Sequence, residues 1–268
     1  MCSMTLTEFC DYHRPALEAE EAKHNLMLAI LARAMKGKAP GLRFWSLGGS
    51  GACAIKMPDG AIVLGDLSEA QCRALAEETH ALRYIAVLGP DLTAKWFVAR
   101  AEALGVTFEA PMPQRILLLQ RLPCYPDVEG QAREVTAANA KLLADWLRAF
   151  YGEAIPEEAP PARQKLMQRA GSGDYLFWVV NGEPVSLAGI VRRTRRVGAI
   201  AAVYTPPEYR GRGYAGAVTA AVVERVFAEG RDTACLYADL RNPASNRAYA
   251  KIGFKPLCES WFFARKLD

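Results

Sequence analysis

Two stretches in the last third of the chain bring together residue types that can do chemistry. The first is Tyr209-Arg210-Gly211-Arg212-Gly213-Tyr214-Ala215, just after the apolar run 199–204. Glycines strip Cβ atoms from the main chain and permit a tight turn. A helix opening near Gly213 adds unpaired N–H groups and the positive end of its dipole, so such a turn can hold a phosphate. Arg210 or Arg212 can add charge-assisted contacts. The second stretch is Asn242-Pro243-Ala244-Ser245-Asn246-Arg247-Ala248-Tyr249-Ala250-Lys251-Ile252-Gly253-Phe254. Its asparagines offer both donors and acceptors. The phenol of Tyr249, with an ordinary pKa near ~10, stays protonated at neutral pH. Two acids lie close in sequence, Glu208 before the glycines and Asp239 at the end of the next apolar run. Either can accept a proton directly or through water, and either can equally be a salt-bridge partner of a nearby arginine.

Gly211-Arg212-Gly213-Tyr214-Ala215-Gly216 also spells the dinucleotide-binding pattern G-x-G-x-x-G. That pattern wants its first glycine directly off a strand and an acid about 20 residues on. Here six residues, 205–210, separate run and glycine, and Asp239 lies 28 residues beyond Gly211. Only 29 residues then remain, too few to complete such a domain.

The same residues resemble the acyl-CoA site of the GCN5-related N-acetyltransferases (GNAT). Arg210, Gly213 and Ala215 satisfy that family's R/Q-x-x-G-x-G/A signature, and 246–254 follow its late tyrosine pattern, with Ala248 where leucine is usual. The resemblance is strong over 197–257, fair from 131 onward and weak over 1–125. It implies an α/β (α+β) acyl-CoA N-acyltransferase fold, a mixed central sheet flanked by helices, in two tandem copies. It implies acetyl-CoA as cosubstrate and no metal. The pantetheine arm would lie like an extra strand beside Ala202, Val203, Tyr204 and Thr205, where the family's sheet is splayed by a bulge that cannot be read from sequence. The pyrophosphate would sit on Arg210, Gly211, Arg212, Gly213, Tyr214 and Ala215, with Asn242 and Asn246 also touching cofactor. The backbone N–H of Val203 or Tyr204 would steady the oxyanion, and Tyr249 would serve the departing thiolate. Glu208 and Asp239 are the candidate bases.

Positioning these residues requires a strand, a turn and a helix in that order. Residues 214–229 place Ala215, Val218, Val222 and Val226 on one helical face, with Gly230 as the stop. Runs 175–180 and 185–191 flank Asn181-Gly182, a hairpin signal. Strands are expected at 199–204, 234–240 and 261–264, and a short helix at 245–251. Upstream, Thr136 can cap a helix carrying Leu142, Leu143, Trp146, Leu147 and Phe150, and 163–169 is a second short helix. The first half reads as a helix at 17–35, strands at 44–47, 52–57 and 61–64, with a turn at 58–60. A helix capped by Ser68 runs to 79, followed by a strand at 82–88, a helix ending near 104 and a strand at 115–122. Both halves thus show helices, a small antiparallel set, then strand–helix–strand. Residues 123–130, with two prolines and a glycine, make the linker. The expected division is 1–125, a degenerate GNAT-like domain, and 126–268, the acetyl-CoA-binding catalytic domain.

Composition narrows the classes. The 268 residues carry a formal charge of +4 and are 51% hydrophobic, which argues against a nucleic-acid partner and for a well-filled core. The run Arg192-Arg193-Thr194-Arg195-Arg196 reads as a solvated turn. Seven cysteines show no paired spacing and read as free thiols in a reducing compartment. No signal peptide or membrane span is evident, so the protein is expected to be cytoplasmic. His13, His24 and His80 all lie in the first third, which excludes histidine-dependent triads or zinc from the second half. Gly48-Gly49-Ser50-Gly51 has no helix expected directly after it and reads as a hairpin loop. The resulting expectation is an enzyme, an N-acetyltransferase passing acetyl to a primary amine on a small molecule or peptide, acting as monomer or homodimer. The alternative is a non-catalytic acyl-CoA-binding or regulatory interaction protein.

Overall fold

The computed structural model describes residues 4–57, 60–154 and 160–267. Residues 58 and 59 of the turn expected at 58–60 lie outside them. The elements, in chain order, fall into two series of the same kind. The first is α1 (Leu6–Ala19), α2 (Asn25–Met35), β1 (Arg43–Ser46), β2 (Cys53–Lys56), β3 (Ile62–Leu64), α3 (Glu69–Thr79), β4 (Ala86–Pro90), α4 (Asp91–Ala103) and β5 (Phe108–Leu119). After β6 (Gln131–Glu134) comes the second: α5 (Ala140–Ala154), α6 (Arg163–Met167), β7 (Tyr175–Val180), β8 (Glu183–Arg193), β9 (Val197–Tyr204), α7 (Tyr214–Ala228), β10 (Thr233–Asp239), α8 (Pro243–Ile252) and β11 (Lys255–Arg265).

The chain forms two compact units. One comprises Met1–Ile116, Asp239–Arg241 and Leu257–Asp268, the other Leu117–Ala238 and Asn242–Pro256. Residues 117–125, placed by sequence before the boundary, pack with the second unit, and the last strand packs largely with the first. In the first unit the strand order is β1-β2-β3-β4-β11-β5. There β11 runs antiparallel to β4, from Ser260↔Pro90 to Ala264↔Ala86. In the second it is β10-β9-β8-β7-β6. Each unit contains a parallel pair with a helix between its strands: β3 and β4 around α3, β9 and β10 around α7.

Local chemistry explains most boundaries. Ser68 caps α3 through a reciprocal pair with Gln71, and Thr5 does the same for α1 with Glu8. The continuous helix expected over 17–35 is instead two. Asn25 donates its side-chain amide to Ala22 O at 2.6 Å, and Lys23 and His24 turn toward Asp66, so 20–24 form turns. At the β7–β8 hairpin Asn181 and Gly182 both have positive φ, +50° and +86°, the backbone that an Asn-Gly pair tolerates. Packing in the second unit is two-sided. Ile190, Ile200, Val222, Val226 and Leu236 pack on the α7 side, while Leu143, Leu147, Phe177, Leu187 and Ala202 pack on the α5 side. Six cysteines, Cys10, Cys53, Cys72, Cys124, Cys235 and Cys258, are free thiols.

Candidate functional site

The parallel ladder of β9 and β10 runs from Val197↔Thr233 to Ile200↔Leu236 and stops, although both strands continue. Two residues later Ala202 has φ +56°, rare for a residue with a Cβ. On the other flank, Leu187 pairs with Tyr204 and Gly189 with Ala201, so β9 spends three steps where β8 spends two. This is a β-bulge, and its effect is visible in the packing. Ile200 and Ala202 are two apart and should share a face, yet Ile200 packs with the α7 cluster and Ala202 with the α5 cluster. The extra residue resets the alternation where β9 parts from β10.

Past the bulge, Tyr204 leads through Thr205 and a short 3₁₀ turn, Pro207–Tyr209, into the glycines. Gly211 has φ +78° and open space where a Cβ would stand. Gly213 has φ +86° and is the N-cap of α7, so no side chain caps that helix. Its first ladder bond runs from Ala217 N–H to Gly213 O at 3.1 Å, leaving the N–H groups of Tyr214, Ala215 and Gly216 outside the ladder. The linker closes one side of this turn. A Cβ on Gly213 would meet Val128 Cγ1 at 2.9 Å, and one on Gly216 would meet Pro126 Cγ at 3.3 Å.

The two arginines differ. Arg210 is committed to protein: its Nε–H donates to Thr205 O at 2.9 Å and its Nη2 to both carboxylate oxygens of Glu153, at 2.8 and 2.7 Å. Arg212 is exposed on the turn. Thr205 is also held through its hydroxyl, 2.8 Å from Ser186 Oγ, and Ser186 donates to Tyr204 O at 3.1 Å. Tyr204 lies under Trp146, whose ring also meets Phe177 edge-on at 5.2 Å. Burial raises the Tyr204 phenol, with Glu153 adding to the rise and Arg210 opposing it.

On α8, Asn242 is the N-cap, its Oδ1 accepting from Ser245 N at 3.1 Å. Asn246 donates its amide to Asn242 O at 2.7 Å. Both asparagines therefore have a structural task. Tyr249 is half-buried against the α7-side core, with its ring edge-on to Phe254 at 6.0 Å. Burial pushes its phenol up to about 12. Of the acids, Glu208 lies exposed in the 3₁₀ turn of the second unit. Asp239 groups with the first unit. Its Oδ1 accepts the Arg241 backbone N–H at 2.8 Å, and its Oδ2 the guanidinium at 3.0 Å.

The corresponding helix of the first unit is built the opposite way. The capping box of Ser68 and Gln71 occupies the first turn of α3, and Asp66 and Glu69 flank the cap. The dipole there would favour an anion, but the capping box takes the first-turn N–H groups and two acidic side chains oppose a further negative charge. Burial works against the charge of Asp66, but hydrogen bonds from His24 and Lys23 outweigh it and hold its carboxyl down to about 2. Donor atoms of Glu20, His24 and Asp66 gather within 4.8 Å, the one group of possible metal ligands among the described residues. The Lys23 ammonium sits on both carboxylates, 2.8 Å from Asp66 and 3.2 Å from Glu20. In the second unit the basic run is partly absorbed. Arg193 pairs with Asp174 at 2.6 Å and Glu229 at 2.8 Å, and Arg192 lies over the Tyr237 ring. Among the described residues no helix is long and apolar enough to cross a membrane.

Residues 140–254 match the family described as the Acetyltransferase (GNAT) family. The second unit has a GNAT acetyltransferase fold. No curated protein matches the chain. Solved structures share a similar fold along most of the chain's length. A Drosophila protein of 14% identity superposes with a TM-score of 0.73, covering 98% of this chain and 97% of its own. A GCN5-related N-acetyltransferase from Sphaerobacter thermophilus, 14% identical, gives 0.59 over 98% of this chain and 93% of its own. A tandem GNAT protein from the clavulanic acid biosynthesis pathway, 13% identical, gives 0.57 over 98% and 94%.

Several residues around the glycine turn carried no signal in sequence. Glu153 reaches Arg210 from 57 positions away, and Ser186 is a single serine inside an apolar run. The pairing of Pro126 and Val128 with Gly213 and Gly216 depends on tertiary packing. Only the small size of those glycines hinted that something approaches them.

Proposed function

We propose that the second unit binds acetyl-CoA and passes its acetyl group to a primary amine by direct attack. The observation that carries this reading is the bulge at Ala202. It opens β9 away from β10 immediately before a glycine turn whose helix is not capped by a side chain. An extended amide chain suits the opened backbone of Val203, Tyr204 and Thr205, and a pyrophosphate suits the N–H groups over Gly211–Ala215. Arg212 is the arginine free to meet phosphate, while Arg210 shapes the turn by holding Thr205 and Glu153. Asn242 and Asn246 would meet cofactor only with atoms their helix-cap bonds leave over. The two repeated element series support a tandem arrangement in which the first copy has lost its anion site.

In the reaction the amine nitrogen attacks the thioester carbonyl, a C–N bond forms, and the oxyanion takes a backbone N–H from β9. The C–S bond then breaks and the thiolate leaves with the electron pair. Burial holds the Tyr249 phenol well above the range in which a thiol ordinarily titrates, so full proton transfer from it to the thiolate runs uphill. Tyr249 is therefore assigned to hydrogen-bond donation toward the departing sulfur. The amine proton goes to Glu208 or to water, since Asp239 is engaged by Arg241.

The test is calorimetric titration of acetyl-CoA into the full chain, followed by thiol release with a panel of amines. Saturable binding and amine-dependent release support the enzyme. Binding without release for any amine supports a non-catalytic acyl-CoA module. No binding by folded protein overturns the reading.

A further inference from the structure

Ser186 is wholly buried in the middle of an apolar strand, with no exposed surface. A buried hydroxyl is costly unless its hydrogen-bonding capacity is used. Its two contacts fall on the last residue of β9 and the residue just after it: Tyr204 O at 3.1 Å and Thr205 Oγ1 at 2.8 Å. A serine has one hydrogen to give. With that hydrogen on the Tyr204 carbonyl, the second contact runs the other way, Thr205 O–H donating to Ser186. Beyond the bulge the β8–β9 ladder has only the pair Leu187↔Tyr204, so the hydroxyl bridge is a large share of what anchors this segment to β8. Arg210 anchors it from the other side through Thr205 O.

We infer that Ser186 is a positioning residue for acyl transfer, fixing the end of β9 so that the Val203 backbone faces the opening beside β10. Backbone groups of successive strand residues alternate in direction. Holding the Tyr204 carbonyl toward β8 turns the Val203 N–H and C=O the opposite way, into the gap left where the parallel ladder ends at Ile200. Between Val203 and Tyr204, this selects Val203 as the oxyanion donor. The inference rests on the acetyl-CoA reading of the site.

The experiment compares the wild-type chain with Ser186→Ala, Ser186→Cys and Ser186→Thr, titrating each with acetyl-CoA and with adenosine 3′,5′-bisphosphate. The bisphosphate carries the nucleotide end of the cofactor and no thioester. Losing the bridge is expected to weaken acetyl-CoA roughly tenfold and leave the bisphosphate unchanged. The threonine variant, which keeps the hydroxyl, should recover most of the affinity. Ser186→Cys preserves size and replaces the hydroxyl by a weak hydrogen-bonding group, so it serves if the alanine variant does not fold. Equal acetyl-CoA affinity in wild type and in a folded Ala or Cys variant overturns the role of Ser186 and leaves the site intact. A parallel loss of both probes marks a merely structural serine and also overturns it. Binding of neither probe by the wild type overturns the acetyl-CoA reading and this inference with it.

Discussion

A Cβ placed on Gly213 stands 2.9 Å from Cγ1 of Val128, so the linker and the glycine turn are one packed unit. Gly213 is fixed twice, by its φ of +86° and by this approach. Gly213→Ala should therefore destabilise the chain by about 1–3 kcal/mol before any ligand is considered. Urea denaturation of the unliganded variant checks this. An unchanged midpoint would mean that the linker does not press on the turn.

Gly211 offers the cleaner probe of phosphate binding. Its φ of +78° is one that Asp tolerates better than most residues, and nothing lies within 4 Å of the Cβ position. Gly211→Asp should lower the melting temperature by only a few degrees. It should weaken acetyl-CoA at least tenfold, because a carboxylate then faces the pyrophosphate. Full affinity in the variant would move the anion elsewhere on the fold.

What the sequence made legible is what local chemistry decides. Ser68 before Glu69, Asn181-Gly182 between apolar runs, and the glycines ahead of the 214–229 stripe each act within a few residues. The structure shows an element at each of those places. Strand β6 was not read, because Gln131, Ala132, Arg133 and Glu134 form a largely exposed strand at the end of its sheet and carry no apolar alternation. The bulge at Ala202 was beyond reach for a different reason. A shift of register belongs to two strands at once, and the alanine that takes the left-handed backbone looks like its neighbours. The same holds for the candidate site. Its glycine turn stood out, whereas the links from Arg210 to Glu153 and from Ser186 to Thr205 exist only once distant segments meet. Residues 257–267 pack with the first unit for a reason no local pattern records, the pairing of β11 with β4.

Tyr249 gives a prediction with two readouts. Its hydroxyl has no hydrogen bond to protein among the described residues, so Tyr249→Phe should change stability at pH 7 by less than about 0.5 kcal/mol. If the phenol donates to the departing sulfur, kcat should fall by a factor of about 10–100 with KM little altered. The folded phenol titrates near 12 against ~10 when unfolded. The folded state thus holds the proton longer, and wild-type stability should decline as pH rises from ~10 toward 12. The Phe variant should decline less over that window. Identical alkaline profiles for the two proteins would show that the phenol is not buried as described.

Asp66 gives the opposite sign at low pH. Its carboxyl is held down to about 2 in the folded chain, against ~3.9 unfolded. The unfolded state therefore binds the proton first, and the stability this group contributes is fully present above ~4 and lost as pH falls toward 2. Asp66→Asn removes the contribution at every pH. The variant should be less stable than wild type at pH 7, with the gap closing between ~4 and 2. Chemical denaturation at a series of pH values reads the gap directly. Because Lys23 and His24 both lean on this carboxylate, the variant should also loosen the turns at 20–24. Amide exchange across that segment should then quicken at neutral pH, and unchanged protection would locate the anchor of the turns elsewhere.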